Sequence, residues 1–135
     1  MSQENVEVVR QIFEAGARRD SPTVFSLYDR ELVWDVSRME GVDFEGGIFR
    51  GHDGLRQWFR GWLAAWESVR NDVEEVIDAG DSVVLVTTQR SRGQASGIEV
   101  ELKQYAVWTV QGGKVTRVVW FPTRHEALEA AGLRE

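Results

Sequence analysis

The spacing of apolar residues changes once along this chain, and that change limits what it can fold into. Up to about residue 67 they recur every three or four positions; beyond it they alternate. From Glu4 to Arg19, the residues Val6, Val9, Ile12, Phe13 and Ala17 draw the stripe of an amphipathic helix, with Ser2 placed to cap it. Asp20, Ser21 and Pro22 then end one helix and start another, because proline suits a first turn, where its missing N–H has no intrahelical acceptor. That second helix runs from Pro22 to Tyr28. Residues 53–67 form a third, with Leu55, Trp58, Phe59, Trp62, Leu63 and Trp66 on one side. Between them Leu32 to Val36 reads as a strand, and the glycine-studded stretch from Ser37 to Gly51 has no period and reads as a surface loop.

Four strands follow the switch: Val69 to Ala79, Ser82 to Arg92, Ile98 to Val110 and Lys114 to Pro122. The turns between them are short and polar, which joins neighbours only when they run antiparallel. Thr123 and Glu126 have the spacing of a capping box, and Gly132 ends the short helix that it opens. Helices first and strands afterwards make an α+β fold, with the helices on one face of a curved sheet. At 135 residues the chain has room for a single domain, residues 1–135. Along Ile98, Val100, Leu102, Gln104, Ala106, Trp108 and Val110 every residue of one face is apolar except Gln104. Tyr105 and Val107, on the other face, are less polar than solvent requires, which points to a homodimer through the sheet's outer surface.

Charge narrows the partners. Sixteen Lys and Arg against 22 Asp and Glu leave a net charge of -6, so nucleic acid and anionic membrane surfaces are disfavoured. The chain has no cysteine and no apolar run near the ~20 residues of a membrane span. Its N-terminus carries no signal pattern, and a cytoplasmic location is expected. His52 and His125 lack second ligands at metal spacing, and no nucleotide fingerprint occurs, so neither a metal nor a cofactor is expected. Six tryptophans in so short a chain must either pack a core or line a pocket.

Several local stretches together resemble a known family: Val8 to Ala15 with Asp20 closing the helix, Leu32 to Asp35, Phe49 to Leu55, Val76 to Asp81, Val107 to Val115, and Arg124 to Leu133. In this order they are similar to the nuclear transport factor 2-like superfamily, in particular its SnoaL-like and ketosteroid isomerase-like branch. The resemblance covers nearly the whole chain. It implies a cone: a strongly curved antiparallel sheet wrapped around a long helix, a cystatin-like α+β barrel with N-terminal helices and a short C-terminal helix. A closed apolar cavity between sheet and helix, and a dimer through the outer face, come with it. Isomerases, polyketide cyclases, dehydratases, epoxide hydrolases and non-enzymatic binders share this fold, so the fold does not fix the chemistry.

The resemblance singles out Asp35, which falls where the steroid isomerases place their general base. A carboxylate at the mouth of an apolar cavity has its charged form disfavoured by desolvation and can accept a carbon-bound proton. The competing reading is a strand-end acid, or a partner for Arg38. The isomerases' oxyanion-hole positions correspond to Ile12 and Ala106, which cannot donate; Gln104, Trp120 or Tyr28 would have to substitute. The last strand lacks the acid that the epoxide hydrolases and cyclases use. Of Gln89 and Arg90, alternation turns one into the cavity, and Arg90 there would favour an anionic or strongly polar ligand group. Trp58, Trp62 and Trp66 stand four residues apart as a stripe, either core or pocket wall. The expectation is a pocket for a small hydrophobic or aromatic molecule, lined by Trp34, Trp58, Trp62, Arg90, Gln104, Trp108 and Trp120. Asp35 would supply cofactor-independent proton transfer of isomerase, cyclase or dehydratase type. The alternative is a non-catalytic binder, or a dimeric scaffold whose cone is filled by its own aromatic side chains.

Overall fold

The computed structural model describes residues 2–39 and 47–133. Helix α1 (Ser2–Ala17) turns Val6, Val9 and Ile12 inward, as its stripe predicts. The expected Ser2 cap lies outside the described residues' side chains. Arg19 leaves this helix at a φ of 59°, and Asp20 caps α2 (Ser21–Ser26), accepting from the Thr23 N–H at 3.3 Å and the Thr23 hydroxyl at 2.6 Å. Tyr28 does not end α2. It opens strand β1 (Tyr28–Asp35), which is longer than the expected Leu32 to Val36.

The supposed loop from Ser37 to Gly51 contains a second strand, β2 (Ile48–Arg50), too short to show a period; residues 40–46 of that stretch lie outside the described residues. Helix α3 (Gly51–Leu63) stops four residues before the expected residue 67, because Trp66 already pairs with Gly93 in the sheet. Then come β3 (Trp66–Asp78), β4 (Ser82–Gly93), β5 (Glu99–Gln111) and β6 (Lys114–Phe121). Helix α4 (Arg124–Ala130) closes the fold with one half of the expected capping box, Thr123 accepting from the Glu126 N–H at 3.1 Å while its hydroxyl donates to Glu126 Oε2 at 2.9 Å, and Gly132 stops it at a φ of 80°.

The strands form one sheet in the order β2-β1-β6-β5-β4-β3. Every pairing is antiparallel except β1 with β6, which run parallel, a departure from the all-antiparallel sheet expected. Shifts of register in β3 between Val73 and Glu75, and in β5–β6 between Thr109 and Val110, bend the long strands. The concave face holds α1 and α3 against Leu32, Trp34, Val36, Val83, Leu85, Ala106, Trp108 and Val118. Val84, Val107, Val119 and Phe121 point the other way and are covered by Ala127 and Leu128 of α4, with Tyr105 packed alongside. The chain therefore supplies its own cover for the apolar residues that suggested a second copy.

Candidate functional site

Alternation along each strand decides which side chains reach the concave interior. On β4, Val83 and Leu85 belong to the inner cluster and Val84 to the outer one, so Thr87, Gln89 and Ser91 continue the inner row. All three are buried, Gln89 to 2% exposure. Arg90 faces outward instead, half-exposed, and pairs with Asp72 of β3 and Glu101 of β5. The expectation that Arg90 lines a pocket is corrected: the ion pairs across three strands hold it on the convex face, and Gln89 takes the interior. These contacts hold the Asp72 carboxyl below its ordinary value, through hydrogen bonds from Arg70 and Arg90.

Inside, the aromatic residues meet in one network. Trp34 is its centre, with ring centroids 5.6 Å from Trp120, 6.1 Å from Trp108 and 6.2 Å from Trp58. Trp58 stacks on Trp62 at 5.4 Å with 12° between the planes, and Trp62 meets Trp66 edge-on at 5.7 Å. All six tryptophans are thereby connected, although Trp66 joins from β3 and not from the helical stripe. Tyr28, Phe13, Phe49 and Phe59 extend the contacts. Burial pushes the Tyr28 phenol above its ordinary range, so it stays neutral.

Polar groups thread this interior sparingly. Trp62 donates its indole N–H to Gln89 Oε1 at 2.9 Å, Gln89 Nε2 lies 3.4 Å from Ser91 Oγ, and Thr87 Oγ1 donates to Gln104 Oε1 at 3.3 Å. Gln104, the exception in its apolar row, thus faces its register partner Thr87. The indole N–H groups of Trp34, Trp66, Trp108 and Trp120 are buried with no acceptor among the described residues. Ile12 and Ala106 stand in the same cluster and offer no donor.

Asp35 is elsewhere. It alternates with Trp34 on β1, and its register partner on β6 is Val119, which packs on the convex side. The side chain is buried, but Oδ1 accepts from the Ser37 N–H at 2.9 Å and the Ser37 hydroxyl at 2.6 Å, and Oδ2 lies 3.9 Å from Arg117. Arg38, the partner considered for it, sits over the Phe121 ring. The structure therefore brings Trp34, Trp58, Trp62, Trp108, Trp120 and Gln104 together and leaves Asp35 and Arg90 outside. Thr87, Gln89 and Ser91 join them; only the phase of alternation along β4 could have found these three.

Two clefts of about 320 and 240 Å³ open outside the cone, where β2 meets the start of α3, and share Arg50 and Asp53. Among the described residues no three metal-ligating side chains converge, and no helix is long and apolar enough to cross a membrane.

The SnoaL-like domain family matches residues 9–118. The chain belongs to the SnoaL-like family. Solved structures of the same fold include TerC co-crystallised with polyporic acid, at 22% identity and a TM-score of 0.77, covering 96% of this chain and 98% of that one. An NTF2-like protein of unknown function from Burkholderia pseudomallei matches at 25% identity and a TM-score of 0.77, over 93% and 95%. A third, RV0760c of Mycobacterium tuberculosis in complex with estradiol-17beta-hemisuccinate, has 14% identity and a TM-score of 0.74, over 89% and 94%. A sequence comparison with curated proteins finds no match. These likenesses establish the α+β cone of this SnoaL-like chain; the chemistry has to be argued from its own interior.

Proposed function

We propose that this SnoaL-like protein binds a small, flat hydrophobic or aromatic molecule bearing a hydrogen-bond acceptor among the indoles of its cone. One observation carries the reading: four buried indole N–H groups in a single aromatic network have no acceptor among the described residues. A buried donor left unpaired costs about 1–3 kcal/mol, so a ligand carbonyl or ether oxygen placed among these indoles recovers free energy that an apolar molecule would not. Rings supply the remainder through offset or edge-on contact. Small molecules are bound by proteins of the same fold, polyporic acid by TerC and estradiol-17beta-hemisuccinate by RV0760c. Both therefore serve as probes. Titration of either should change the tryptophan fluorescence saturably, with Trp34→Phe weakening the response; an unchanged spectrum with both probes would sink the reading.

Proton transfer through Asp35 draws no support from its position on the convex side, with one oxygen occupied by Ser37. The function proposed is accordingly binding rather than turnover. A second reading, a cone filled by its own aromatics and acting as a scaffold, is favoured by the full burial of Trp108, Tyr28, Leu55 and Leu85. The same titration separates the two. The expected homodimer through the outer face would have to form over the charged ladder of Asp72, Arg90 and Glu101, since α4 already covers the apolar part.

A further inference from the structure

The contact between Trp58 and Trp62 differs from those made by Trp34, whose neighbours all meet it tilted or edge-on. Here the two rings lie nearly parallel, and one of them is tethered by its edge: the Trp62 N–H reaches Gln89 Oε1 at 2.9 Å. The indole donor fixes the Gln89 amide, because only the oxygen can face an N–H; Nε2 is then left on the Ser91 side. Trp62 itself is only partly buried and stands one residue from the end of α3, next to Leu63, which is 50% exposed. Trp58 and Gln89 are buried to 7% and 2% exposure. A partly buried flat donor at the end of a helix thus covers a buried flat surface and a buried acceptor.

We infer that Trp62 is an internal occupant of the ligand subsite and that Gln89 selects what replaces it. An aromatic ring system of two or more fused rings, carrying a hydroxyl or N–H donor, displaces the indole, stacks on Trp58 and donates to Gln89 Oε1. This rests on the pocket reading above and adds to it the ligand's donor and the residue that reads it. A ring without a donor would leave the Gln89 oxygen buried and unpaired, which disfavours it by about tenfold.

Calorimetric titration with 2-naphthol and its methyl ether, 2-methoxynaphthalene, tests this directly. The wild-type protein should bind 2-naphthol about tenfold more tightly, and Gln89→Met, similar in length but without an acceptor of comparable strength, should bind the two alike. Equal affinities in the wild type, or a preference undiminished in Gln89→Met, would overturn the inference. Should Gln89→Met fail to fold, the wild-type comparison still decides, together with hydrogen exchange at the Trp62 indole N–H, assigned through Trp62→Phe. Saturating 2-naphthol should speed that exchange, and unchanged protection counts against displacement. Binding of polyporic acid or estradiol-17beta-hemisuccinate without binding of either naphthalene overturns this inference and leaves the pocket reading standing; no binding of any of the four overturns both.

Discussion

Ser37 gives both its backbone N–H and its hydroxyl to one oxygen of Asp35, a turn built from neighbours two residues apart. Such a carboxylate serves the chain that follows it more than a substrate. Asp35→Ala should lower stability by about 1 kcal/mol in urea denaturation, the cost of losing these bonds, and leave the affinity for estradiol-17beta-hemisuccinate unchanged. A loss of affinity beyond a few-fold would show that the acid reaches the interior after all. Trp34 is the opposite case. It touches Trp58, Trp108, Trp120, Tyr28 and Phe59, so Trp34→Ala should cost about 3–5 kcal/mol, measurable as a large drop in the denaturation midpoint. That Asp35 and Trp34 differ in side follows from alternation. Which of the two is inside was not legible in the sequence, because both are compatible with a strand end near a cavity mouth.

Among the elements, β4 shows most plainly where pattern reading stops. Its run from Ser82 to Arg92 alternates, yet Val83 to Val86 are apolar on both faces, because α1 lies on one side and α4 covers the other. With no polar face to set the phase, Gln89 and Arg90 were equivalent on paper. The ladder through Asp72, Arg90 and Glu101 settles the matter. Nuclear magnetic resonance titration should find the Asp72 pKa below its ordinary value of 3.8, rising toward it in Arg90→Leu. An Asp72 indifferent to that substitution would mean that Arg90 does not face it. The capping signal at Thr123 was legible by contrast, since it acts on a group three residues away and local chemistry needs no tertiary context; Asp20, read only as part of the break between two helices, proves to cap the second by the same local chemistry. Thr123→Ala should cost about 1 kcal/mol, read from the same urea curves.

For the whole molecule, charge and shape separate onto the two faces of one sheet. The interior is aromatic and sparsely polar; the convex surface carries the ladder of Asp72, Arg90 and Glu101 and the pair of Arg124 with Glu75, which holds the Glu75 carboxyl below its ordinary value. Asp20, Asp72 and Glu75 are all depressed in the folded state, so each contributes stability that is present above its ordinary value, 3.8 or 4.5, and lost as pH falls through the lower folded value. The urea midpoint should therefore be flat near neutrality and fall in acid, by an amount reduced in high salt because these groups are exposed. Association over the same ladder should respond to salt as well. For the homodimer expected over this face, sedimentation should show the 15.4 kDa monomer gaining as sodium chloride rises, and a salt-indifferent association would place the contact on an apolar surface instead.

What the sequence by itself determined is the order and kind of every element but the short β2, the cap at Thr123, the α+β class and the membership of a cone-forming family. Those follow from interactions a few residues apart: hydrophobic period, turn chemistry and side-chain bonds to nearby backbone. Only the tertiary structure decided that β1 runs parallel to β6, that Trp66 belongs to β3, and that Gln89 faces inward while Arg90 and Asp35 do not. Each of these depends on a partner far away in the chain. A side chain's face is fixed by register against its neighbouring strand, and a shift of one residue would exchange every inner group for an outer one.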